Sequence, residues 1–99
     1  MAKPLRFLDE AVAEGHEAWN WYRVRSEKAG QRFQAAFEQA IESIEEQPER
    51  WPEYLLGTRC IPVKRFPYVV VYPESETELQ VIAVALGHRR QAYWKKRLK

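Results

Sequence analysis

Apolar residues in this chain follow a helical period in its first half and crowd into short runs in its second. Across residues 10–25, Ala11, Val12, Gly15, Ala18, Trp19 and Tyr22 recur at three- and four-residue spacing, which predicts one helical face, weakened at Gly15. Asp9 suits the N-cap of that helix, and Ser26 that of a second. The second helix is predicted to run to Gln47 and to stop at Pro48. Its stripe is Phe33, Ala36, Phe37, Ala40, Ile41 and Ile44, with Glu38, Glu42, Glu45 and Glu46 largely on the other faces. The two helices read as an αα-hairpin. Residues 48–57 form a loop that returns Trp51 and Tyr54 over the core.

Beyond the loop the period changes. Residues 59–66 read as a strand with Ile61 and Val63 on one face, confined by Pro62 to an edge or a bulge. Residues 64–72 and 81–90 are β-branched and aromatic runs separated by the polar residues 73–78, a β-hairpin pattern. Residues 5–8 give a short first strand, and residues 93–99 a short basic helix or tail. The order is β-α-α-β-β-β: an α+β domain spanning residues 1–99, its helical hairpin packed on one face of a small antiparallel sheet.

Composition adds three constraints. At 99 residues and 45% hydrophobic content, the chain supports one small core and excludes global disorder. One cysteine, Cys60, rules out an intrachain disulfide, and the start of the chain shows no apolar signal segment, so a cytoplasmic location is expected. The apolar runs are too short to span a bilayer, and no membrane association is expected. Net charge is +2 but unevenly placed: residues 1–57 sum to −4 and residues 58–99 to +6. That asymmetry points to a basic face for an acidic partner or a nucleic acid, or simply to charges that segregate by element.

An antiparallel hairpin brings the start of its first strand and the end of its second to the same edge. Lys64, Arg65, His88, Arg89 and Arg90 therefore share one end of the sheet. Lys64, Arg65 and Arg90, with Arg59, Trp94 and Lys95, are the expected target- or nucleic-acid-binding residues. Arg89, Tyr93 and His88 are the expected catalytic set if the chain is a nuclease, with cations stabilising phosphodiester charge and Tyr93 or His88 moving protons. RNA carries its own nucleophile in the 2′-OH, so such a cleft needs neither metal nor cofactor, and none is expected. Phosphate-loop, dinucleotide, nucleophile-elbow and zinc-ligand motifs are absent from the sequence. Against these readings, Arg65 also suits a structural ion pair, His88 an exposed turn, and Trp94 the core. Arg89 and Arg90 precede a predicted helix start, which is unfavourable for cations on dipole grounds. The glutamates of the second helix read as a solvated face, Cys60 as a buried inert thiol, and Trp19, Trp21 and Tyr22 as anchors of a helix on the sheet.

The run from Arg65-Phe66-Pro67-Tyr68 through Val69-Val70-Val71-Tyr72, then Val81 to Ala85, Arg89 and Tyr93-Trp94, resembles the RelE/ParE family of toxins from bacterial type II toxin–antitoxin systems. Trp21-Tyr22, Ile44 and Gln47-Pro48 fit the same pattern. The resemblance implies the β-α-α-β-β-β fold, a growth-inhibiting activity and a small cognate antitoxin that wraps the toxin. RelE-like members cut ribosome-bound mRNA without a metal, whereas ParE-like members inhibit DNA gyrase. The ribonuclease pattern places lysines on the strand that here holds Cys60 and Pro62, and an arginine where Val69 stands. Its last-strand arginine matches Arg89, and its C-terminal tyrosine is approximated by Tyr93. A histidine common in close relatives after the Ala-Val-Ala segment is Leu86 here, with His88 two residues later. Three cationic positions are thus lost. The resemblance leans to a ParE-type gyrase inhibitor, with a ribosome-dependent endoribonuclease as the alternative.

Overall fold

A computed structural model describes residues 3–87 and 92–98. The elements are β1 (Leu5–Phe7), α1 (Asp9–Arg25), α2 (Glu27–Glu46), β2 (Thr58–Pro62), β3 (Tyr68–Pro73), β4 (Leu79–Val81) and β5 (Ala83–Leu86), with short 3₁₀ turns at Leu55–Gly57 and Lys95–Arg97. The expected order holds, and the last expected strand is divided into β4 and β5. β2, β3 and β5 form an antiparallel sheet in that order, and β1 pairs parallel with β4.

The division at Ile82 is a β-bulge. Val71 of β3 pairs with Ala83, and its carbonyl also accepts the amide of Ile82 at 2.9 Å, so two residues oppose one. The bulge shifts the phase of side chains. Leu79, Val81 and Val84 face the core under the helices, while Ile82 and Ala83 both face the second cluster on the opposite side of the sheet. That phase shift explains a fully apolar run from Val81 to Ala85, which strict alternation would not produce.

Ser26 caps α2 as expected, its hydroxyl accepting the amide of Ala29 at 3.2 Å. Asp9 is instead the first residue of α1. The cap position is Leu8, whose amide is held by the Val81 carbonyl at 3.0 Å, so β1 runs directly into the helix. Both helices cover one face. Tyr22 stacks on Phe33 at 5.5 Å and meets Phe66 edge-on at 4.9 Å. Trp21 stands half exposed outside this cluster, its ring covered by the Arg25 guanidinium at 3.5 Å. It therefore does not anchor the helix as its neighbour Tyr22 does. The other face of the sheet carries Val71, Ile82, Ala83 and Trp94, with the Tyr54 ring tilted against Trp94 at 6.1 Å.

β2 ends earlier than expected. Residues 63–66 form a turn closed by the Phe66 amide on the Val63 carbonyl at 2.9 Å, with Arg65 at φ 73°. Pro62 does lie in an edge strand. That edge is protected: the Cys60 amide bonds the Pro52 carbonyl, the Thr58 carbonyl accepts from Tyr54, and Pro62, next on the same side, has no N–H. Among the described residues no helix is long and apolar enough to cross a membrane.

Tyr72 is 1% exposed and its hydroxyl donates to the Pro48 carbonyl at 2.7 Å, tying the end of α2 to β3. Burial, only partly offset by Arg59, pushes its pKa up to about 12 from the ordinary 10.0. Its folded-state pKa is raised, so its contribution to stability is complete below pH 10.0 and is lost as pH climbs through about 12. Tyr72→Phe should cost about 1 kcal/mol at neutral pH and make the alkaline unfolding limb shallower between those values, read by urea melts across pH.

The two helical glycines should respond with opposite signs. A Cβ on Gly30 would meet the Arg23 backbone at 3.0 Å, where α1 and α2 cross closely. A Cβ on Gly15 would rest at ordinary contact distance, 3.7 Å from Phe37 and 3.8 Å from Val84. Thermal melts should show Gly15→Ala stabilising by about 0.5–1 kcal/mol through helix propensity. Gly30→Ala should destabilise by about 1–3 kcal/mol through overpacking.

Candidate functional site

The hairpin brings its two ends together as the sequence predicts. Tyr68 pairs with Leu86, and the Gly87 amide donates to the Pro67 carbonyl at 2.7 Å. Lys64 and Arg65 sit at this end, exposed, on the turn that leads into β3. His88, Arg89 and Arg90 follow Gly87 in sequence and lie outside the described residues.

The remaining expected site residues occupy different surroundings. Arg59 is pulled inward: it pairs with Glu74 at 2.7 Å and donates to the Trp51 carbonyl, so its charge fastens the loop of residues 51–54 to β2 and the end of β3. Trp94 is 2% exposed, in the cluster with Val71, Ile82 and Ala83, and packs rather than contacts solvent. Lys95 is exposed, at the start of the last 3₁₀ turn.

Tyr93 is joined to a network that the sequence reading missed. Its hydroxyl donates to Glu14 Oε2. Arg97 clasps the same carboxylate, Nη1 to Oε1 at 2.8 Å and Nη2 to Oε2 at 3.2 Å. Glu14 Oε1 also accepts the backbone amide of Val84 at 3.0 Å, and Arg97 Nη1 donates to the Ile82 carbonyl at 3.0 Å. Both charged side chains are only 17% exposed. The Glu14 hydrogen bond, outweighing burial, raises the pKa of Arg97.

The local reason is the bulge. β1 ends at Phe7, so past Val81 the outer edge of the last strand has no strand beside it. The Val84 amide and the Ile82 carbonyl, two backbone groups on that edge, would otherwise lack a partner. A carboxylate from α1 and a guanidinium from the C-terminal turn satisfy them. The sequence signal for Glu14 was a single carboxylate between apolar positions of an amphipathic helix, which reads as solvated unless the bulge is known.

The chemistry open to Tyr93 is narrowed by this arrangement. A hydroxyl donating to a carboxylate that is itself clasped by arginine is held in place and orients the C-terminal turn. No group of three or more His, Cys, Asp or Glu side chains placed to hold a metal ion occurs among the described residues.

Comparison with known proteins gives a family and solved structures of similar fold. Residues 5–93 match the family model described as the ParE toxin of the type II toxin–antitoxin system parDE. A solved structure described as a chromosomal ParDE toxin–antitoxin system from P. aeruginosa aligns at TM-score 0.63 and 18% identity, covering 85% of this chain and 95% of that one. At that identity the likeness speaks for the fold. Comparison with curated protein sequences returns no significant match.

Glu14→Ala should destabilise the fold by about 3 kcal/mol, because it leaves a nearly buried arginine and a strand amide unpaired. For a chain of this size that is a fall in melting temperature of roughly 12–24 °C. Arg97→Ala added to Glu14→Ala should cost clearly less than the two single changes combined, a coupling read from a double-mutant cycle of urea melts.

Proposed function

The chain belongs to the ParE toxin family of type II toxin–antitoxin systems, and from that premise we propose that it arrests growth by binding DNA gyrase and is held in check by a small cognate antitoxin. The family match over residues 5–93 carries this reading. Three details of the chain favour binding over RNA cleavage. Cys60 and Pro62 occupy β2, where the ribonuclease pattern has lysines, and burial pushes the Cys60 thiol pKa up, so that it is neutral at pH 7. Val69, where that pattern has an arginine, is an uncharged strand residue paired with Ala85. Tyr93, the proton-transfer candidate, is engaged by Glu14.

The target-binding region in this reading is the basic end of the hairpin, with Lys64 and Arg65 on the turn and His88, Arg89 and Arg90 contributed by the adjoining sequence. Lys95 adds charge from the C-terminal turn. The antitoxin neutralises by covering this end. Such a partner is expected to be acidic where it meets these cations and to be encoded close to the toxin.

Purified chain added to gyrase should inhibit negative supercoiling of relaxed plasmid, and induction in cells should depress thymidine incorporation before amino-acid incorporation. Arg89→Ala should leave RNA in translating extracts unaffected, since no cleavage depends on it. Prompt loss of amino-acid incorporation with DNA synthesis intact, together with cleavage of ribosome-bound mRNA that Arg89→Ala abolishes, would replace this reading with the endoribonuclease. Co-expression with the neighbouring open reading frame should yield a complex that co-elutes on size exclusion and restores growth. Separate elution of the two would remove the antitoxin assignment.

A further inference from the structure

A cleft of about 420 Å³ opens on the helix side of the sheet, between one flank of α1 and the outer edge of β5. Glu14, Glu17 and Trp21 recur at three- and four-residue spacing, so they share that flank, beside the Ala11–Ala18–Tyr22 face that enters the core. Across from them lie Val84 and Leu86 of β5. β1 has already ended at this level, and no strand lies beside β5 there among the described residues. The small side chain of Ala18 leaves the space open, and Pro67 borders it at the hairpin end.

Three rings wall the cleft, those of Trp21, Tyr22 and Tyr68. The Trp21 and Tyr22 planes cross at 76° with centroids 4.9 Å apart, and the Tyr22 and Tyr68 planes at 74° and 6.5 Å. Adjacent rings set nearly perpendicular present π-faces from different directions, which suits a compact cation. Among the described residues no lysine or arginine lines the cleft, whereas two carboxylates do. Glu14 is already engaged by the Val84 amide, Tyr93 and Arg97. Glu17 is exposed and makes no ion pair or hydrogen bond among the described residues, and the Tyr22 and Tyr68 hydroxyls make no hydrogen bond among them. Burial, with smaller contributions from Tyr22 and Glu17, pushes the Tyr68 pKa up, so its hydroxyl is neutral at pH 7. The Trp21 ring already attracts one guanidinium, that of Arg25 at 3.5 Å, which also bonds the Trp21 carbonyl at 2.7 Å.

We propose that this cleft is a binding site for an alkylammonium group, brought by a free polyamine or by the lysine side chain of a polypeptide. Two carboxylates exclude an anion on charge grounds. A purely apolar ligand would cover the Glu17 carboxylate and two hydroxyls without giving them partners, which is costly. An ammonium group answers both: its charge meets Glu17 and the ring faces, and its slim carbon chain lies along Val84 and Leu86. None of these residues belongs to the basic end assigned to target binding, and the inference does not depend on gyrase as the target.

Choline is the probe. Neohexyl alcohol, in which carbon replaces the charged nitrogen at the same shape, is the comparison. Each is titrated into the full chain and followed by NMR at the Trp21 indole N–H and the Leu86 amide. Choline should shift both signals saturably, leave the indole of buried Trp94 in place, and bind at least about tenfold more tightly than neohexyl alcohol. Trp21→Ala and Glu17→Gln, both at exposed positions, should each weaken choline by about three- to tenfold at an unchanged melting temperature. Arg25→Ala, which removes a cation competing for the ring, should tighten it. Spermidine and a blocked lysine separate the two sources: tighter binding of spermidine upholds the site as one for polyamines, and tighter binding of the blocked lysine upholds it as one for a polypeptide side chain. Equal binding of choline and neohexyl alcohol overturns the proposal. So do shifts that are not confined to the cleft, or binding indifferent to both Trp21→Ala and Glu17→Gln.

Discussion

The Glu14 carboxylate is the constraint on which the C-terminal third of this fold depends. A bulge at Ile82 lets one strand feed two clusters, and its geometric consequence is an open strand edge just beyond the reach of β1. Backbone groups there require partners, and no strand remains to supply them. One carboxylate from α1 and one guanidinium from the C-terminal turn take that role, and Tyr93 joins the same carboxylate. The ion pair is not surface decoration, since each of its oxygens is shared by two donors. It couples helix, strand and C-terminus, so that Trp94 is held against Ile82 and Ala83 on the far face of the sheet.

Periodicity made most of the fold legible. The stripe from Phe33 to Ile44 specifies α2 because every apolar residue on it meets the core, and Ser26 and Pro48 mark its ends by capping and by steric exclusion. α1 was less clear, because Val12, Trp21 and Val24 are exposed and blur its apolar face. The boundaries of β2 and β3 shifted for a local reason: four residues, 63–66, are spent on a turn with a left-handed arginine, and no glycine or asparagine marked that conformation in the sequence.

The site was less legible than the fold, and the cause is the range of the interactions. Arg59, Tyr93 and Trp94 carry side chains suited to a target or a phosphodiester, and sequence spacing put them near the basic end. What commits them elsewhere is contact with residues far along the chain: Glu74 and Trp51 for Arg59, Glu14 for Tyr93, Val71 and Ile82 for Trp94. No local pattern encodes a hydrogen bond between residues 14 and 93. Lys64 and Arg65 do lie at the hairpin end where strand pairing puts them, but on a turn that the sequence reads as strand.

The charge asymmetry of the sequence takes on a different meaning once these pairs are known. Among the cations of the second half, Arg59 and Arg97 are neutralised by carboxylates, one of which comes from the acidic first half. The surplus that remains is therefore smaller than the sequence total and more localised. Part of it lies on the turn of residues 63–66, where Lys64 and Arg65 are exposed near Arg32 of α2 and no carboxylate lines the surface among the described residues. The glutamates of α2, at positions 27, 38, 42, 45 and 46, do not line the surface beside that turn.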